Sequence, residues 1–159
     1  MRMLVLSLLM AVSACGPGAG NAVAHWSGAG VDVSVAGPAR GGWCPASRTV
    51  LLDLTEDDRV AGLVWHYDSL VPGRDSVGPP GSPDSVIGGA SVAARYLSLD
   101  EVRGYRSLSG MLQVIAVDST QISAKVDASL QRVGAVDTVH FTAEFHRIPL
   151  TQDTTLCTP

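Results

Sequence analysis

The sequence predicts an all-β fold, most economically an antiparallel β-sandwich of about seven to nine strands, with a small closed β-barrel as the alternative. Three observations carry this. From Val31 onward apolar residues recur at every second position over most of the chain. Short turn signals, Gly37-Pro38, Glu56-Asp57-Asp58 and Gly134 among them, separate these runs. No stretch carries the apolar period of a long helix.

Taken in order, Val31, Val33 and Val35 alternate with Asp32 and Ser34, and a turn is expected at Gly37-Pro38. Thr49 to Leu54 is a short apolar run ending in Glu56-Asp57-Asp58, read as a hairpin turn. Its carboxylates lack the spacing of a calcium loop. Val60 to Tyr67 places Ala61, Leu63, Trp65 and Tyr67 on one face, which should be the core face.

Residues 72–84 contain four prolines, each removing a ladder donor, and are expected to form the one long loop. Val86 to Leu97 carries Gly88-Gly89, a sign of a bulge or bend, and then Val92 to Leu97 as a strand or a helical turn. Asp100 to Arg103 is expected as a short helix capped by Ser98.

The C-terminal third is the most regular. Ser107-Leu108-Ser109-Gly110 reads as a turn into Met111 to Val117, which is apolar on both faces and therefore central. Ile122, Ala124, Val126, Ala128 and Leu130 then alternate with polar residues. After Gly134, Val139, Phe141, Ala143 and Phe145 do the same. Such a succession makes an antiparallel meander with one buried and one wet face. The segment from Tyr105-x-Ser107-x-Ser109-Gly110 to Phe145, roughly residues 105 to 148, resembles small uncharacterised bacterial envelope lipoproteins of β-sandwich type. The resemblance implies fold and location and no activity.

The amino terminus points the same way. Arg2 precedes Met3 to Val12, in which Ser7 is the polar exception, a basic and then apolar pattern of signal-peptide length. It is too short for a membrane span, which needs roughly 20 apolar residues. Val12-Ser13-Ala14-Cys15 closes it and resembles the lipobox of bacterial lipoproteins. The resemblance implies cleavage before Cys15 and acylation of that cysteine. Acyl chains bury methylenes at about 0.8 kcal/mol each, enough in pairs for stable anchoring. The alternative is an ordinary secretory signal cleaved nearby. Residues 1–14 are thus read as a lipoprotein signal peptide, 15–30 as a flexible Gly/Ala-rich tether, and 31–159 as a single β domain. An extended tether of that length would reach about 50 Å, with His25-Trp26 resting on the domain edge or in the lipid interface.

Cys44 and Cys157 remain once Cys15 is set aside, an even pair suited to an oxidising compartment and expected to form a disulfide. No Cys-x-x-Cys spacing offers a redox or metal reading. The chain has 11 Lys+Arg against 15 Asp+Glu, and without a basic stripe a nucleic-acid partner is excluded from the reading. Of the basic residues only Lys125 is lysine, which we read as a mark of genome composition.

His140, Thr142, Glu144 and His146 share one strand face. Glu144 and His146, with His140 in the same row and His66 from another strand, are the metal candidates, weighed against a simple solvated surface. No Gly-x-Ser-x-Gly elbow is present, and no catalytic residue or cofactor is assigned. The expected role is therefore a non-enzymatic envelope module anchored to membrane lipid through acylated Cys15. Such a module would meet an envelope protein partner or an apolar ligand held between sheets. A metal-binding or hydrolytic envelope protein using the His/Glu face is the alternative.

Overall fold

The computed structural model describes residues 20–82, 85, 88–99 and 101–157. The signal-peptide and lipobox readings, Cys15 included, lie outside them. Nine strands run in chain order: β1 (Asn21–Gly28), β2 (Val31–Cys44), β3 (Thr49–Glu56), β4 (Arg59–His66), β5 (Gly73–Val77), β6 (Gly89–Ser98), β7 (Glu101–Val117), β8 (Gln121–Arg132) and β9 (Thr138–Gln152), followed by a 3₁₀ turn over Thr154–Cys157. They form one sheet in the order β1-β2-β3-β4-β6-β5-β7-β8-β9 that returns to β1 and closes as a barrel. The all-β expectation and the strand number hold. Hydrogen bonding continues round the ring, while the facing walls pack against each other as sandwich layers do.

Inward positions follow the expected alternation. Leu52, Leu54, Ala61, Leu63, Trp65, Leu112, Val126, Leu130, Phe141 and Ile148 are buried in one core. Trp26 spans that core: its ring stacks 6.1 Å from Phe141 on its own wall and lies 6.3 Å from Tyr96 on the wall opposite. Trp65 donates its indole N–H to Asp75 Oδ2 at 2.6 Å, whereas Trp26 Nε1 is buried with no hydrogen-bond partner among the described residues. These side chains meet in the space between the walls.

Several elements differ from expectation, each for a local reason. The tether reading fails over residues 21–28, which are β1, and Trp26 is wholly buried and not at a domain edge. Ala22, Ala24 and Trp26 face inward while Asn21, Val23 and His25 face outward, so small alanines concealed a strand period. No turn forms at Gly37-Pro38. Pro38 sits one residue before the β2–β3 ladder begins at Ala39, where its missing amide proton is not needed. The loop 72–84 contains β5, because Pro72, Pro79, Pro80 and Pro83 all lie outside the five-residue strand. The expected helix at 100–103 is instead the tight β6–β7 hairpin, with Ser98 paired to Glu101. Leu99 at its tip adopts φ 55°.

The barrel has two unlike ends. At the hairpin end, tight turns join β1–β2, β3–β4, β6–β7 and β8–β9. Glu101 there holds Arg132 at 2.7 Å and Arg103 at 3.5 Å. At the other end Cys44, closing β2, is joined by a disulfide to Cys157, 113 residues away in sequence, with Cα atoms 5.4 Å apart.

Ring closure requires two forks. The first is at β2, whose first half pairs with β1 and whose residues Gly41–Trp43 pair directly with β9. A Cβ on Gly41 would stand 2.7 Å from the Pro149 carbonyl oxygen, so the strands meet here only because the side chain is absent. The second is at β7, which pairs with β6 through Arg106 and with β5 from Gly110 onward. Ser107, expected in a turn, lies inside β7 at a bulge and is wholly buried. Its Oγ donates to the Gly78 carbonyl at 2.6 Å and accepts from the Val92 amide at 3.0 Å. One hydroxyl thus satisfies two backbone groups at the fork.

Candidate functional site

β1, β9, β8 and β7 present their wet faces as one outer wall, and the register aligns their side chains in rows. One row runs Val23, Glu144, Lys125, Gln113, and the next runs His25, Thr142, Asp127, Met111. These residues line a hollow of about 550 Å³. Bulges between Val114 and Ala116 on β7, and opposite Ile122 and Ala124 on β8, interrupt the register of this wall.

Its polar groups are interlocked. Lys125 Nζ donates to Glu144 Oε1 at 2.8 Å directly across β8 and β9. His140 Nε2 lies 2.9 Å from Asp127 Oδ1, and His25 Nε2 lies 2.8 Å from Asp32 Oδ1 on β2. All three are exposed pairs, each worth at most about 1 kcal/mol to stability. Their effect is to hold acceptors and donors in fixed places around Thr142. Val23 and Met111, about half exposed at 53% and 49%, add apolar surface beside them.

The sequence-derived metal candidates are not brought together. His140, Glu144 and His146 follow one another along the outer face of β9, but Glu144 is engaged by Lys125 and His140 by Asp127. His66 is on β4, in another wall, with Nδ1 3.1 Å from Thr49 Oγ1. Burial holds the His66 imidazole below its usual pKa. Among the described residues no group of three or more His, Cys, Asp or Glu is arranged to hold a metal ion.

Sequence reasoning found the β9 row and missed its neighbours. His25 was assigned to the tether, so its alignment with Thr142 was hidden. Lys125 and Asp127 were visible as the wet face of the strand beginning at Ile122, but their pairing across to Glu144 and His140 depends on register. A second, smaller depression of about 320 Å³ lies on the opposite wall, where Gly62, Ala93 and Gly104 leave room beside Arg95.

The barrel is apolar inside and polar outside, the reverse of a barrel that crosses a bilayer. Among the described residues no helix is long and apolar enough to cross a membrane. No family model, curated protein or solved structure matches this chain.

Proposed function

We propose that the protein is a lipid-anchored envelope module that binds through the outer wall of β1, β9, β8 and β7 and performs no chemistry of its own. The observation that carries this reading is the state of the polar groups in the hollow. Each charged side chain there is engaged by a neighbour, and among the described residues no serine or threonine hydroxyl is hydrogen-bonded to His25 or His140. A set of fixed donors, acceptors and apolar patches suits recognition. The Cys44–Cys157 disulfide fits an oxidising compartment, and Val12-Ser13-Ala14-Cys15 supplies the anchor.

Intact mass of the protein purified from its native membrane tests the anchor. A chain beginning at Cys15 with added acyl mass, taking up alkyl groups on two cysteines only after reduction, is the expected result. Mass without acyl groups would refute the lipid anchor. For the binding wall, Lys125→Glu combined with Met111→Asp should leave the fold intact and abolish retention of any ligand, lipid headgroup or protein, that the wild-type chain retains. Unchanged retention would exclude this wall as the binding site.

A further inference from the structure

The chain joins the barrel through its wall and not at an end. Asn21 lies opposite Pro38 on one side and His146 on the other, and beyond it on the same line β2 pairs directly with β9, Gly41 beside Leu150. The slot that holds β1 is therefore closed just past Gly20, where an added Cβ would meet the backbone of Arg147 and Ile148. Cys15 stands five residues before Gly20. That length spans at most about 18 Å, far less than the tether expected from sequence.

Given the acylated Cys15 of the reading above, on which this inference rests, the bilayer surface must be met within that distance of Gly20. The wall next to Gly20 is the one that carries the hollow. It exposes Val23, Met111 and Ile115 at 53%, 49% and 48%. Arg40 and Arg147 flank the point where the chain joins, and Arg74 on β5 stands opposite Gln113 at the far edge. All three arginines are exposed, and none forms an ion pair with a described residue. Asp53, across from Arg40, accepts instead from Thr55. The exposed carboxylates of this wall, Glu144, Asp127 and Asp32, are engaged by Lys125, His140 and His25, so the apolar side chains and the three unpaired guanidinium groups are what it offers to a layer of phosphates above acyl carbons.

We propose that this wall lies on the phospholipid headgroups of the bilayer holding Cys15, so that the hollow over Lys125 and Glu144 opens onto lipid phosphates. The opposite wall, with Arg95 and its Gly/Ala depression, then faces away from the membrane.

Because Lys125 is the only lysine, an amine-reactive reagent reads this wall at one side chain, and an arginine-reactive dicarbonyl reads Arg40, Arg74, Arg147 and Arg95 separately. The acylated full chain is labelled in phosphatidylcholine–phosphatidylglycerol vesicles and in detergent, and rates are compared by peptide mass. Expected is a slowing of at least about fivefold at Lys125, Arg40, Arg74 and Arg147 in vesicles, with Arg95 unchanged. Protection of Arg95 instead, or uniform rates, overturns the orientation while acyl mass at Cys15 still stands. Protection that rises with protein density and persists without vesicles would mean that a second copy covers the wall, and also overturns it. A chain without acyl mass removes the anchor and the orientation together.

Discussion

The two forks solve the same problem with different chemistry. At the β2 fork, backbone meets backbone: Gly41 lets β2 approach β9, and the disulfide from Cys44 to Cys157 ties the strand ends just beyond. At the β7 fork a side chain stands in for backbone, with Ser107 Oγ bonded to both Gly78 and Val92. The first fork depends on the absence of atoms and on a covalent link. The second depends on one hydroxyl. A closed sheet whose strands change neighbours needs one device or the other wherever a ladder ends inside the wall.

The comparison can be broken from either side. Removing the covalent link should have the largest effect: Cys44→Ser with Cys157→Ser should lower stability by up to about 4 to 5 kcal/mol, read by urea denaturation. A loss below about 1 kcal/mol would mean that the β2 fork holds without it. Filling the close approach comes next. Gly41→Val should cost about 1 to 3 kcal/mol or more through overpacking against Pro149 and Leu150, and an unchanged melting temperature would contradict the approach described. Ser107→Ala should cost about 1 to 3 kcal/mol by leaving the Gly78 and Val92 groups unpaired. Ser107→Thr, which keeps the hydroxyl, should lose less if the hydroxyl and not the volume matters. Combined with the cysteine changes, Ser107→Ala should add independently, since the forks share no residues.

A smaller effect sharpens the contrast between half-buried and exposed histidines. His66 has its pKa lowered by burial, so the unfolded chain takes up its proton first as pH falls. Stability should therefore be full above about pH 6.5 and fall as pH drops from there toward the lower folded pKa. His66→Gln should flatten that slope in denaturation curves between pH 7 and 5; an identical slope would assign it to other groups. The smallest effect belongs to the wall. Lys125→Met should shift stability by less than about 1 kcal/mol, and a larger loss would show that the pair with Glu144 is structural.

What could be read from sequence divides along the same line. The meander of β7, β8 and β9 was legible because Ile122 to Leu130 and Val139 to Phe145 alternate large apolar with polar residues. β1 was not, since its inward Ala22 and Ala24 are small and stand among glycines, and Trp26 alone of its inward residues is large. β5 was hidden by flanking prolines, and the role of Ser107 has no local signal at all, because its partners lie 29 and 15 residues away. The candidate wall was half visible. Row membership on β9 follows from period two, but which residues stand opposite is a matter of register, set by bulges that no short motif announces.

The seating of β1 between β2 and β9 bears on when the molecule can be finished. Trp26 is among the first residues of the domain to be made, and its stacking partner Phe141 among the last. Until β9 exists, β1 lacks one wall of its slot and the ring stays open along that gap. Synthesis or passage through a pore, amino terminus first, would thus yield a ring that stays unclosed until β9 has emerged. A truncation that removes β9 should therefore leave β1 paired with β2 alone and the ring open along its other edge.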